Sequence, residues 1–185
     1  MAGPSFAELR GGAGNDHLIG GPGGDFLNGD SGSDRISGRG GNDLISGDIG
    51  DVQEEDDTLS LDPGRDVLRG GAGADELEGD GGSDRLYGGT GNDKAYGADA
   101  DEILVGNDRA DHVFGGPGND LVAGYKGNDR LIGGPGRDLI RGSLGNDLLL
   151  AVDRTPDRLN GGKGRDRAQV DPGRDRTRSV ERVLR

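Results

Sequence analysis

A large apolar side chain recurs every ninth residue along most of this 185-residue chain. Residues 11–19 read GGAGNDHLI, 20–28 GGPGGDFLN, 29–37 GDSGSDRIS and 38–46 GRGGNDLIS. A fifth unit starts at Gly47 and carries five extra residues around Val52 to Asp56; from Leu61 the period of nine then runs unbroken to Leu150. One ten-residue unit (151–160) and two more nonapeptides ending at Arg178 bring the total to 18 units. The eighth position is Leu, Ile or Val in 15 of them, with Ala95, Ala168 and Thr177 as the departures. That period fits no amphipathic helix, whose apolar face needs contacts at i, i+3, i+4 and i+7. It predicts very short strands of about three residues, each with its central side chain pointing inward. The glycines between them predict turns, because they tolerate positive φ and the close approach of neighbouring chain.

The polar positions are as regular as the apolar ones. Gly stands at position 1 in 15 units and at position 4 in 15, and position 6 is Asp in 17, the exception being Glu102. This internal repeat settles the architecture before any single residue is weighed. The pattern resembles the RTX (repeats-in-toxin) nonapeptide family of hemolysin-type calcium-binding repeats, GGxGxDxUx with U a large apolar residue. The resemblance covers residues 11–178. It implies an all-β fold, a right-handed parallel β-roll (a solenoid) of about nine turns in which two units make one turn. It also implies calcium ions between each loop and the loop one turn later, held by position-6 carboxylates and backbone carbonyls. Calcium, a hard cation taking six to eight oxygens, suits that donor set.

Counting two units per turn, one column is expected to carry Asp16, Asp34, Asp57, Asp75, Asp93, Asp111, Asp129, Asp147 and Asp166. The other carries Asp25, Asp43, Asp66, Asp84, Glu102, Asp120, Asp138, Asp157 and Asp175. Eight gaps per column set a ceiling of 16 ions. Position 4 is Ala100, Arg109 and Arg154 in three units, where a side chain blocks the turn and a cation opposes calcium. The expected ligands are therefore the column members other than Glu102, Asp111, Asp157 and Asp175. Gaps between two intact loops number ten, or eight if the insertion spoils the loop of Asp57.

Composition sharpens the picture. With 41 Gly, 29% hydrophobic residues and no Trp, the chain has little apolar surface to offset the entropy of ordering its backbone. The net charge of −13 sets stacked carboxylates against one another, and ten divalent ions would carry it to about +7. A disordered calcium-free chain that folds as calcium binds is the expectation. An acidic surface argues against nucleic acid and anionic membranes as partners. The absence of Cys excludes disulfides and thiolate sites. No segment approaches the roughly 20 apolar residues of a membrane span. The opening residues show no N-terminal signal peptide, so the expected location is extracellular by a route without one.

Residues 1–10 are expected to cap the roll through Phe6 and Leu9, and 179–185 to close it as a cap strand. Units 10 and 11 (97–114), both defective, mark an expected weak seam within one continuous roll. The ends of such a roll are sheet edges and invite end-to-end association; no protein partner is identifiable. His17 and His112, five turns apart in one expected column, are read as solvent-facing. There is no HExxH, GxSxG or GxxxxGK[ST] motif and no Cys nucleophile, so no enzyme is expected. The functional expectation is a secreted structural module folded by calcium. The alternative is the C-terminal roll of a larger secreted toxin, protease or adhesin. An ice-binding face is disfavoured, since position 3 is Thr only at Thr90.

Overall fold

A computed structural model describes residues 6–31, 34–40, 42–46, 65–79 and 81–184. Among them are 19 strands, from β1 (Glu8–Ala13) to β19 (Arg182–Leu184), and no helix. Odd-numbered strands form a ten-stranded sheet and even-numbered strands a nine-stranded one, both wholly parallel between neighbours. The chain thus alternates between two facing sheets and climbs one rung per turn, giving a solenoid of about eight turns. The all-β parallel roll expected from the nine-residue period is what forms.

The strands cover positions 7 to 9 of each unit, and the reason is the inward residue. Leu27, Ile36, Ile45, Leu68, Leu77, Leu86, Leu104, Leu131, Ile140 and Leu149 are all fully buried, and all stand at position 8. Flanking positions 7 and 9 are mostly exposed or half-buried, as the period of two along a strand requires, although Asn28, Ser46, Val105 and Ala123 at position 9 are buried. The interior is therefore two files of side chains, one from each sheet, with Ala95 and Ala168 also buried in it. Leu9 packs against this core in register with Leu27, whereas Phe6 is largely exposed. At the other end Val180 packs on the core and β19 pairs with β17 (Arg167–Val170).

One pairing departs from the expected order. β4 (Arg35–Gly40) pairs directly with β6 (Val67–Ala72), and β5 (Leu44–Ser46) with β7 (Glu76–Glu78). The turn that elsewhere takes 18 or 19 residues between stacked aspartates takes 32 here, as the bonds from the Asp34 N–H to Asp66 and from the Asp43 N–H to Asp75 show. The strands that follow the 14-residue fifth unit therefore fall on the other sheet from the one the simple count gives. Units 10 and 11 keep their places: β10 (Ile103–Asp108) pairs with full register on both sides, and so does β11 (His112–Phe114). The backbone ladder is continuous through 97–114.

Candidate metal centre

The change of sheet redraws the columns of carboxylates. The column leading into the odd-numbered strands carries Asp25, Asp43, Asp75, Asp93, Asp111, Asp129, Asp147 and Asp166. The other carries Asp16, Asp34, Asp66, Asp84, Glu102, Asp120, Asp138, Asp157 and Asp175. Asp16 and Asp34 thus stack on Asp66, not on Asp57 and Asp75, which corrects the order counted from the sequence. Asp57 lies outside the described residues. His17 and His112 are exposed, as expected, but sit on opposite sheets, in β2 (His17–Ile19) and β11.

Most position-6 aspartates divide their two carboxylate oxygens between two tasks. Oδ1 accepts the main-chain N–H of the position-6 residue one turn earlier, at 2.9 Å from the Asp43 N–H to Asp75 and 3.0 Å from the Asp111 N–H to Asp129. Oδ2 is turned into the loop. In Asp16, Asp43, Asp75, Asp93, Asp111, Asp120, Asp129, Asp138, Asp147, Asp157 and Asp166 it is buried and accepts no hydrogen bond. A buried carboxylate oxygen without a donor is costly, because burial removes the water that would otherwise solvate its charge.

What lies beside Oδ2 explains why the first position is usually glycine. A Cβ on Gly88 would stand 2.5 Å from Asp93 Oδ2 and 2.9 Å from the Gly106 carbonyl oxygen, one turn on. In the other column a Cβ on Gly79 would stand 2.8 Å from Asp84 Oδ2 and 2.9 Å from the Gly97 carbonyl oxygen. Glycine keeps open a cradle walled by a carboxylate from its own loop and a carbonyl from the next. Ala151, a position-1 residue with a side chain, tests this rule. Its unit has ten residues, so the carboxylate of Asp157 arrives six residues later instead of five.

Burial also sets the protonation of these groups in the metal-free fold. Desolvation, with neighbouring carboxylates of the same column adding to it, pushes Asp75 and Asp138 up to about 7 and Asp111 to about 8. The N–H bonds from the previous turn pull the other way and lose. Asp129, Asp147 and Asp157 rise to about 6, and Glu102, longer and buried against Asp120, to about 10. Among the described residues no three acidic or histidine side chains converge closely enough to hold an ion by themselves. A cation here would be held by carboxylate and main-chain oxygens together, an all-oxygen set that suits a hard divalent ion and offers nothing to a soft one. The residues present fit calcium.

A family profile described as the RTX calcium-binding nonapeptide repeat matches residues 8–36, 19–52, 60–95, 96–131, 123–151 and 154–176. The chain belongs to that family. No curated protein matches the chain in sequence. RTX repeats bind calcium through a β-roll, and they are structural rather than typically catalytic. In this RTX chain the sequence-based list set aside four column members, Glu102, Asp111, Asp157 and Asp175. The structure places the first three, buried, in the same positions as the rest. The signal for them was the position-6 phase itself. Position 4 of their units is Ala100, Arg109 and Arg154, with φ of 106°, 84° and 78°, left-handed values that strain a residue carrying a Cβ.

Proposed function

We propose that this RTX chain is a secreted structural module whose folding is driven by calcium. The observation that carries the proposal is the row of buried Oδ2 atoms with no hydrogen-bond donor, each facing a space that only glycine leaves open. Without cations the roll must hold charged or protonated carboxylates in its loops, and its two-file core is thin. With cations the same oxygens become ligands, so that binding and folding free energies are one quantity.

The proposed ligands are Asp16, Asp25, Asp34, Asp43, Asp66, Asp75, Asp84, Asp120, Asp129, Asp138, Asp147 and Asp166, with Asp93 completing the gap below Asp75. Gaps flanked by two loops with Gly at position 4 number five in the first column and four in the second, giving about nine ions. Nine divalent ions would carry the net charge from −13 to about +5. RTX repeat proteins are typically secreted. Extracellular calcium modules work at about 10⁻⁴–10⁻³ M, which would keep this chain unfolded inside a cell and fold it outside. The module has no catalytic part in this reading, and the stretch 97–114 is its least stable segment.

The test is a calcium titration of chelator-treated protein by calorimetry, with far-ultraviolet circular dichroism on the same samples. Binding of about nine ions while coil turns to β-structure is the expected result. A folded spectrum in excess chelator would sink the proposal.

A further inference from the structure

Toward its C-terminal third the surface of the roll changes sign. Residues 124–185 hold 14 Lys and Arg against nine Asp and Glu, and six of those nine acids are position-6 aspartates. Four exposed arginines, Arg137, Arg158, Arg174 and Arg176, surround Pro156 in two adjoining clefts that share Arg137, Pro156 and Arg158. The repeat itself assembles them. Arg137 and Arg174 occupy position 5 one turn before and one turn after Pro156. Arg158 and Arg176 occupy position 7 of β16 (Arg158–Lys163) and β18 (Arg176–Arg178), directly paired across the sheet.

This arrangement is unfavourable as it stands. Paired rungs are about 4.8 Å apart, and like charges directly opposite on a sheet repel. Among the described residues none of the four arginines makes an ion pair; the two that exist are Lys94–Glu76 and Lys126–Asp108. The acids close by have other work. Asp153 accepts the N–H groups of Gly136 and Thr155, at 2.7 and 2.8 Å, and Asp171 accepts those of Asp153 and Arg154. Asp138 and Asp157, on the cleft floors, are buried and bind the Asp120 and Asp138 N–H groups. The four cations therefore line the clefts with none of these carboxylates in ion-pair contact.

We propose that this arginine cleft binds a tetrahedral oxyanion, a phosphate or sulfate group, bridged by Arg158 and Arg176 and flanked by Arg137 and Arg174. The guanidinium fork matches two oxygens of such a group, and one anion between the paired arginines turns their repulsion into two charge-assisted contacts. The site rests on the folded roll and on four arginines, none of which is a proposed calcium ligand, so it can be tested whether or not folding proves to be calcium-driven. Its failure is therefore separable from failure of the calcium reading.

The test uses the full chain saturated with calcium, folded by circular dichroism, and titrated with sodium sulfate against sodium chloride of equal ionic strength. Arginine side-chain N–H signals in nuclear magnetic resonance are followed. Saturable shifts confined to the four arginines are expected, with Arg85, on the same sheet outside the clefts, unmoved. The double variant R158A/R176A should weaken sulfate binding about ten-fold or more while keeping the folded spectrum. Equal responses to sulfate and chloride, or binding unchanged in the double variant, would overturn the site. A parallel arm with phosphatidylglycerol vesicles separates the sources of the oxyanion. Co-sedimentation that the double variant loses assigns it to a lipid headgroup, and sulfate binding without co-sedimentation assigns it to a soluble ligand.

Discussion

Replacing Gly142 by alanine tests whether the cradle at position 1 is where the cation sits. Gly142 has an ordinary backbone conformation, so the substitution adds volume without forcing a left-handed residue. Its Cβ would stand 2.6 Å from the Gly161 carbonyl oxygen and 2.8 Å from Asp147 Cγ, with Asp147 Oδ2 closer still. Real Cβ atoms do not come that near to other atoms, and the carbonyl belongs to a backbone locked in the ladder, so the Asp147 carboxylate must turn away. Overpacking of this kind costs about 1–3 kcal/mol. Losing one ion costs about 2.7 kcal/mol more when calcium is a hundred-fold above that site's dissociation constant. The expected calorimetric result is one ion fewer than wild type and a calcium midpoint for folding shifted upward. Gly173→Ala is the matched control. Gly173 has φ of 81° and nothing within 4 Å of an added Cβ, so it should lose about 1–2 kcal/mol to strain and no ion. If Gly142→Ala binds the full complement with the wild-type midpoint, the space beside Oδ2 is not the cation site.

Four further outcomes follow from the same structure. Asp75, Asp138 and Asp111, at about 7, 7 and 8, lie above the ordinary carboxylate range of the unfolded chain. Their charge therefore penalises the calcium-free roll fully above about pH 8, and the penalty lifts as pH falls through 8 toward about 4. β-Structure in chelator should increase on acidification over that window, and a spectrum independent of pH would refute the assignment. Calcium-driven folding at pH 7 should release few protons, because carboxylates of the disordered chain are already ionised; a calorimetric heat that depends strongly on buffer ionisation enthalpy would mean that calcium binds a folded, partly protonated roll instead. Leu104→Ala, at a fully buried position within 97–114, should cost about 2–5 kcal/mol in thermal or denaturant unfolding of the calcium-loaded protein. A double-mutant cycle should find Asp34 coupled to Asp66 and not to Asp57 in calcium-driven folding, the opposite of what simple counting gives.

Much of the site was legible because the repeat is local. A unit of nine residues says which side chain turns inward, which carboxylate ends the loop and where glycine must stand. These properties depend on atoms within a few residues, so Leu104 and Asp129 could be placed from the sequence with equal security. The weighting of positions was less legible. Arg109 at position 4 looked disabling, yet Asp111 beside it keeps its place, because a positive φ can be strained without being forbidden. The first glycine was read as part of a turn, and its contact with a carbonyl one turn away could not be read from its own unit.

The sequence by itself determined the period, the short strands, the inward files of Leu, Ile and Val, and the kind of oxygen each loop would present. Only the tertiary structure decided which loops face one another. A strand's partner is the rung on which the chain returns, and after the 14-residue unit that begins at Gly47 the return falls one sheet over from where counting puts it. Local periodicity cannot specify that choice, because both registers place the same residue types inward. What separates them is the closure of hydrogen bonds between strands distant in sequence, from the Asp34 N–H to Asp66 and from the Asp43 N–H to Asp75.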